Sequence, residues 1–367
     1  MKFQIPRDVI LRSLQRLSGV VERRQTLPVL GNILVKAEEN KLTLAATDLE
    51  VELIIQQECM VDESGEVTIP DRKWLDICKN LPDDASITIT TANDKATLKS
   101  GRSRFTLATL PSTEFPLVEE INSQTQYTTS QAILKSIFDA THFSMAQQDV
   151  RYYLNGLMME MSANLLRSVA TDGHRLAMKD VVMSLNVNED KRQVIVPRKG
   201  IQELMRLLND SDDEIAIIVG SSHIRLSMND MTFTSKLIDG RFPDYERVMP
   251  EGGTNVLQAD KESLRQTFLR VAILSNEKYR GIRIILSKDK LQVMAHNPEQ
   301  EEAEDELAIS YDGDEFEIGF NANYLLDAIN AVKSEEVQLI LKDPNSSCVI
   351  KDANDDSSSY VVMPMRL

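Results

Sequence analysis

The residues with the clearest potential for chemistry are Thr171-Asp172-Gly173-His174-Arg175, where a carboxylate and an imidazole stand two positions apart as in a catalytic loop. Asp-Gly also tolerates the positive φ of a tight turn, and the runs Leu166-Arg167-Ser168-Val169-Ala170 and Leu176-Ala177-Met178 flank it like strands. The sequence therefore predicts a two-residue β-hairpin turn at Asp172-Gly173 in place of a catalytic dyad. The other histidines, His142, His223 and His296, are scattered, and none has a second four residues away as a helical zinc pair requires. Three cysteines, Cys59, Cys78 and Cys348, without a CxxC, supply neither a thiolate metal site nor a disulfide framework, and a reducing compartment fits them. Phosphate-cradling GxxxxGKS/T, dinucleotide GxGxxG, HExxH and GxSxG are all missing. No catalytic residue, metal or cofactor is expected.

What must position these residues is a threefold repeat with a period of about 125 residues. Phe105-Thr106-Leu107 precedes Phe115-Pro116, Phe233-Thr234-Ser235-Lys236 precedes Phe242-Pro243, and Tyr360-Val361-Val362 precedes Met363-Pro364. Thr47-Asp48-Leu49-Glu50, Thr171-Asp172-Gly173-His174 and His296-Asn297-Pro298-Glu299 repeat the spacing independently. Asp48 and Asp172 thus fall in different copies, cannot share a proton, and read as turn residues. Helix-like stretches recur at Leu11 to Val20, Leu134 to Phe143 and Leu264 to Leu274, and again after Arg72, Arg198 and Asn323. Each copy reads helix, strands, helix, strands, and is domain-sized instead of solenoid-sized. The prediction is an α+β chain of three similar tandem domains, 1–124, 125–253 and 254–367, with boundaries where Asn, Ser, Gln and Gly replace apolar periodicity.

The formal charge is −16, from 57 acids against 41 bases, which argues against indiscriminate nucleic-acid binding. The bases nonetheless gather on the helices. Val9, Leu11, Leu14, Leu17 and Val21 form an apolar stripe at helical spacing while Arg12 and Arg16 share another face. Arg72, Lys73 and Lys79 surround Trp74, Leu75 and Ile77; Arg198, Lys199 and Arg206 flank Ile201, Leu204 and Leu208; Arg265 and Arg270 mark the third copy. Helices facing inward would line a positive cavity in a negative shell, which suits a duplex held by its phosphates without base reading. Gln148, Arg151, Tyr152 and Tyr153 are candidate loop contacts. The N-terminus Met1-Lys2-Phe3-Gln4-Ile5-Pro6 lacks an apolar signal core and no run reaches a membrane span, so a cytoplasmic, soluble protein is expected.

Two further segments read as surfaces for other chains. Arg102-Ser103-Arg104-Phe105-Thr106-Leu107 alternates as a basic strand, and Glu299 to Glu306 is intensely acidic. The two would complement each other head to tail between copies, with Ile273 and Leu274 as an apolar centre, and a head-to-tail contact that closes makes a ring. The end Val361-Val362-Met363-Pro364-Met365-Arg366-Leu367 is apolar, with methionines around a proline, and suits a groove for short peptides.

Thr26-Leu27-Pro28-Val29-Leu30-Gly31-Asn32, Gln148 to Gly156, Asp239-Gly240-Arg241-Phe242-Pro243-Asp244-Tyr245, Ile273-Leu274-Ser275-Asn276-Glu277 and Tyr360 to Leu367 together resemble the bacterial DNA polymerase III beta subunits, the replicative sliding clamps. Gln25 and Trp74 are mild departures. The resemblance implies the DNA clamp fold, each domain being two helices packed on antiparallel sheets, closed by a head-to-tail homodimer into a six-domain ring around double-stranded DNA. It implies a non-catalytic processivity factor that binds the replicative polymerase, other polymerases or repair proteins through short peptide motifs, and a separate clamp loader. Carried over residue by residue, DNA contacts fall on Arg24, Arg72, Gln148, Tyr152, Tyr153 and Lys199. The peptide pocket falls on Leu154, Thr171, Gly173, His174, Arg175, Leu176, Pro243, Arg247, Val248, Val361, Val362, Met363, Pro364, Met365 and Arg366. Dimer contacts fall on Arg102, Arg104, Phe105 and Leu107 against Ile273, Leu274, Glu299, Glu301, Glu302 and Glu304.

Overall fold

A computed structural model describes residues 1–21, 27–118, 121–185, 191–250 and 252–366. Among these are six α-helices: α1 (Arg7–Leu17), α2 (Asp71–Lys79), α3 (Gln131–Thr141), α4 (Arg198–Leu207), α5 (Lys261–Ala272) and α6 (Ala322–Ala331), two per repeat. The first helix of each repeat starts about one turn before the helix-like stretch read from the sequence, at Arg7, Gln131 and Lys261, and in α5 that first turn is polar and capped. The Asp260 carboxylate accepts the Ser263 N–H at 2.8 Å, and Pro6 precedes α1, whose first turn carries Asp8. The buried stripe of α1 is Ile10, Leu14 and Leu17, with Val9 and Leu11 half-buried beside it, so it is rotated from the predicted one.

The strands form four antiparallel sheets. The first runs Met60–Glu63, Lys2–Pro6, Ser86–Ala92, Lys95–Ser100, Ser103–Ala108, all from the first repeat. The second runs Thr125–Ser130, Glu214–Val219, His223–Met228, Met231–Lys236, then Val51–Glu58, Lys41–Thr47, Asn32–Glu38, Gly65–Pro70. The third runs Arg192–Pro197, Gly156–Ser162, Leu165–Thr171, Arg175–Val182, then Ser358–Val362, Cys348–Asp352, Glu336–Leu341, Asn255–Asp260. The fourth is Glu302–Ala308, Lys290–His296, Gly281–Ser287, Phe316–Asn321, from the third repeat alone.

The two larger sheets each join four strands of one repeat to four of the next. Val51–Glu58 pairs with Met231–Lys236 so that Phe233 faces Leu53. Arg175–Val182 pairs with Ser358–Val362 so that Tyr360 faces Ala177. Both ladders extend by one equivalent backbone bond, Lys236 N–H to Glu50 O at 2.8 Å and Met363 N–H to His174 O at 3.0 Å.

The chain folds as two compact units, Met1–Ala132 with Gln202–Leu237 and Ile133–Ile201 with Ile238–Leu367. Each unit holds one repeat junction, and the central repeat is divided between them. In the first unit α1 packs on α2 over a core containing Phe3, Ile5, Leu14 and Trp74. In the second α5 packs on α6 around Phe268, Phe320, Leu325 and Tyr360.

One repeat anchor is corrected. Leu110, Ile238 and Met365 make the same backbone bond in the three copies, to Thr68 O, Ile195 O and Gly319 O at 3.4, 2.9 and 2.8 Å. Met363-Pro364 therefore aligns with Lys236-Leu237 and not with Phe242-Pro243, since Met365 follows it directly.

Trp74 is fully buried, and its indole N–H has no hydrogen-bond partner among the described residues. Its contribution is thus apolar packing. Trp74→Ala should cost about 3–5 kcal/mol and Trp74→Phe under about 2, read as shifts in the urea midpoint by far-UV circular dichroism. Equal losses would show that the indole nitrogen matters.

Candidate functional site

In the second unit the connection after Thr171 differs from the two-residue turn expected. Thr171 pairs with Leu176, so four residues make the turn, and among them only Gly173 has positive φ, at 88°. The Asp172 carboxylate oxygen Oδ1 accepts the N–H groups of His174 at 2.9 Å and Arg175 at 3.0 Å, so a side chain replaces the missing ladder bonds. Thr171 Oγ1 accepts the Gly173 N–H and donates to Arg175 O at 2.6 Å. The first repeat copies this turn: Asp48 Oδ1 accepts from Glu50 and Val51, Thr47 Oγ1 donates to Val51 O, and Leu49 takes the positive φ, at 77°. Asp172 and Asp48 are turn formers in equivalent places.

Arg175 leaves this turn as the hub of a small network. Its guanidinium donates to Asp172 Oδ2 at 3.1 Å, Asp327 Oδ2 at 2.5 Å and Phe143 O at 2.7 Å. It also lies over the rings of Tyr324, 4.5 Å from the centroid, and Phe143, 5.6 Å away. With 12% of its side chain exposed, it shapes the wall of a hollow of about 330 Å³ whose rim carries the exposed His174.

The strand pairing brings the tail to the turn. Leu176 faces Val361, Arg175 faces Val362, and Met363 bonds to His174. Leu176 and Val361 join Met158, Val169, Ile195, Phe242 and Tyr245 in one apolar cluster, which brings in the segment that carries Pro243, Arg247 and Val248. Leu154 is buried at the end of a 3₁₀ turn. Val362 points to the opposite face of its strand, into the third repeat's core beside Tyr360. Met363, 37% exposed, Pro364, Met365 and the exposed Arg366 continue as the tail. Arg247 is solvent-exposed and paired with Asp244 at 2.8 Å.

Beneath this cluster lies a polar network that motif spacing missed. Glu160, 4% exposed, accepts from Gln193 at 2.6 Å and Tyr245 OH at 3.2 Å, and pairs with Lys191 at 2.9 Å. Arg167 donates to Tyr245 OH at 3.0 Å and to both oxygens of Asp180 at 2.6 Å. Burial opposes ionisation of Glu160, but bonds from Gln193 and Lys191 and the nearby charges outweigh it, and its pKa lies below the ordinary glutamate value. Tyr245 was visible only as the end of the Phe242-Pro243-Asp244-Tyr245 run. Its partners carry no local signal, being dozens of residues away.

The candidate DNA contacts fall in both units. In the first, Arg72 is exposed in the first turn of α2, and Arg24 lies outside the described residues, as does Gln25. In the second, Gln148 takes a positive φ of 56° in a loop that Asp149 holds by accepting the Arg151 N–H at 2.7 Å and its guanidinium. Tyr152 is 57% exposed, and Tyr153 is half-buried against the Leu176 cluster, with its ring 5.8 Å from that of Tyr152. Lys199 is half-buried in the first turn of α4.

The basic helix faces are partly neutralised. Arg16 approaches Asp230 at 3.7 Å, while Arg206, Arg265 and Arg270 pair with Glu203, Glu262 and Asp305 at 2.7, 2.7 and 2.6 Å. Arg12, Arg72, Lys73 and Lys79 are exposed on α1 and α2 and make no ion pair among the described residues.

Ser103–Ala108 in the first unit and Glu302–Ala308 in the second are among the strands that end a sheet, each with a ladder on one side only among the described residues. In the first unit Ser103–Ala108 exposes Arg104, preceded by the exposed Arg102, while Phe105 is half-buried and Leu107 buried. In the second unit Glu302–Ala308 exposes Glu302, Glu304 and Glu306, preceded by the exposed Glu299 and Glu301. The helix α5 packs on that strand and ends at Ile273, 73% exposed, and the half-buried Leu274.

Comparison with known proteins matches residues 1–119, 128–244 and 246–366 to the N-terminal, central and C-terminal domains of the DNA polymerase III beta subunit. The beta sliding clamp of Pseudomonas aeruginosa is 53% identical over 370 residues and that of Escherichia coli 48% over 368, each covering all of both chains. A crystal structure of the DNA polymerase sliding clamp from Pseudomonas aeruginosa superposes with a TM-score of 0.97 at 52% identity over 100% of both chains. One of a DNA polymerase III subunit beta from the same species, bound to griselimycin, gives 0.96 at 53%, again over 100% of both.

A carboxylate with a lowered pKa contributes stability above its ordinary titration range and loses it as pH falls toward the folded-state value. The extra urea resistance of the native chain over Glu160→Gln should therefore hold at neutral pH and shrink only below about pH 4.5. A gap that stays constant from about pH 7 to pH 3 would show that the charge on Glu160 contributes nothing.

Proposed function

Since the chain belongs to the DNA polymerase III beta subunit family, we propose that it acts as a sliding clamp, a ring-shaped homodimer that encircles duplex DNA and tethers the replicative polymerase to it. The family is a processivity factor and not a catalyst. Tethering turns rebinding of the polymerase at the primer end into an intramolecular event, so a non-catalytic ring raises its effective concentration there. Three domains, 1–124, 125–253 and 254–367, per copy would give six in the ring. A separate ATP-using clamp loader would open it, and the protein would work in the cytoplasm.

The equivalence of the edges Ser103–Ala108 and Glu302–Ala308 to the strands of the two internal junctions supports head-to-tail closure most directly. Within the chain the same junction is made twice, Val51–Glu58 with Met231–Lys236 and Arg175–Val182 with Ser358–Val362. By the repeat, Glu302–Ala308 and Ser103–Ala108 are the two halves of a third. Ala46, Ala170 and Ala295 face Leu53, Ala177 and Ala303 in their hairpins, which makes the last three equivalent. Phe233 faces Leu53 and Tyr360 faces Ala177, so Phe105 of one copy would face Ala303 of the next. That register sets Arg104 opposite Glu304 and Arg102 opposite Glu306, where cross-strand opposite charges stabilise by about 0.2–1 kcal/mol each. Ile273, Leu274 and Leu107 would supply the apolar part, with Glu299, Glu301 and Glu302 at the rim.

For DNA, Arg24, Arg72, Gln148, Tyr152, Tyr153 and Lys199 are the proposed contacts, with the unpaired Arg12, Lys73 and Lys79 adding phosphate attraction that carries no sequence preference. For partner peptides, including those of other polymerases and repair proteins, the proposed pocket is the turn Thr171 to Leu176 with Leu154, Pro243, Arg247, Val248 and the tail Val361 to Arg366. The Leu176 and Val361 cluster gives it an apolar floor, and Met363 and Met365 are adaptable walls.

Loading onto nicked circular DNA with a matching clamp loader and ATP tests the ring. The protein should co-elute with circles in gel filtration and be lost once they are linearised; equal behaviour on both forms would mean ordinary surface binding. The seam is tested by Ser103→Cys with Asp305→Cys, which the register places directly opposite. Mild oxidation should give a covalent dimer on non-reducing gels for the double variant and for neither single one. A dimer in solution without this cross-link would overturn the register.

A further inference from the structure

In each repeat one cross-strand pair and one residue of the segment after the last strand meet at the same place. Leu34 faces Ala45, Met158 faces Val169 and Arg283 faces Met294. Leu110, Ile238 and Met365 come beside them through the equivalent backbone bonds to Thr68, Ile195 and Gly319. In the first repeat Leu34, Ala45 and Leu110 pack around Phe115, which is 7% exposed. In the second, Met158, Val169 and Ile238 pack around Phe242, which is 6% exposed. In both, the phenylalanine arrives on the segment that follows the backbone bond and is itself followed by proline. In the third repeat the same three positions, Arg283, Met294 and Met365, line a cavity of about 640 Å³.

We propose that this cavity in the third repeat is a second partner site, a socket for a phenylalanine side chain carried on an extended Phe-Pro segment with an acidic residue after it. The chemistry of the walls fits such an occupant. Met294, Met365 and Tyr279 supply the apolar part of the lining, and thioethers pack favourably on aromatic edges. The volume lies in the range of about 300–1,000 Å³ of small-ligand sites, room for a phenylalanine ring together with the residues that follow it. Arg366, which also lines the cavity, is exposed and has no ion pair among the described residues, while Arg283 is already held by Glu317 at 2.9 Å. Glu302 is also in the lining and opposes an anion beside it, so the acid is placed at Arg366. Of the protein's own two plugs, Phe242-Pro243-Asp244 carries an acid after the proline and Phe115-Pro116-Leu117 does not, so the acid is set by Arg366. Met365 and Arg366 also belong to the proposed peptide pocket, but the socket is inferred from Phe115 and Phe242 and does not depend on that assignment.

The test uses the full-length protein with all 15 methionines carrying a ¹³C-methyl label, and Met294→Leu to assign one signal. The probe is the acetylated, amidated tetrapeptide Phe-Pro-Asp-Tyr, the sequence of residues 242–245. The Met294 methyl signal should shift saturably. The peptide Ala-Pro-Asp-Ala should bind at least about tenfold more weakly, since the aromatic anchor dominates such a contact. Phe-Pro-Asn-Tyr, or Arg366→Gln with the original peptide, should each weaken binding about threefold, the reach of one exposed ion pair. A Met294 signal that stays fixed, moves equally with the alanine peptide, or stays fixed while Met178 beside the other pocket moves, would overturn the socket. Equal binding of the asparagine peptide would overturn the role of Arg366.

Discussion

Antiparallel pairing of a strand in one repeat with the last strand of the next is the constraint on which the remaining architecture depends. A repeat supplies only half-sheets of four or five strands, and a half-sheet ends in a row of unmet N–H and C=O groups. Pairing at the junction satisfies that row and fixes register, because a slip of one residue would turn every inward side chain outward. It also fixes where the chain goes next. The bond from Met363 to His174 sets the tail against the Asp172 turn, as the bond from Lys236 to Glu50 sets the following segment against the Asp48 turn. The proposed peptide pocket would in this sense be a by-product of a junction, with a turn from one repeat and a strand exit from another brought together by backbone pairing.

Local chemistry then decides what each junction becomes. Where Phe115 or Phe242 follows the strand exit, the space closes into an apolar cluster. Beneath the second of these, Glu160, Arg167, Asp180, Lys191 and Tyr245 form a polar layer in which each buried charge meets an opposite one, the condition under which burial of charge is tolerated. Arg175 plays the same part at the turn. Its planar fork reaches two carboxylates and a carbonyl while stacking between two rings, a combination that a lysine ammonium cannot reproduce.

The charge of −16 and a DNA-facing role are reconciled by placement. Many bases on the helices are spent on neighbouring acids, and exposed pairs of this kind contribute little to stability, about 0–1 kcal/mol. Arg12, Arg72, Lys73 and Lys79 remain available on α1 and α2. A field from a few free cations within an acidic surface attracts phosphate weakly and without sequence preference, which suits a protein that must stay on DNA yet move along it.

By itself the sequence determined the threefold repeat, the helix and strand content of each copy and the basic and acidic strands, because these follow from spacing and composition along the chain. It also carried the resemblance that names the family. The start of α5 was displaced by a turn because its capped first turn, Lys261-Glu262-Ser263, has no apolar period, and the Asp172 turn was read as two residues because its side-chain bonds replace ladder bonds that spacing cannot show. Only the tertiary structure decided that the central repeat is divided between two compact units, that Val361 and Val362 face different cores, and that Met365 aligns with Ile238 and Leu110. Those outcomes rest on backbone bonds and packing between residues far apart in the chain, and periodicity reports only on neighbours.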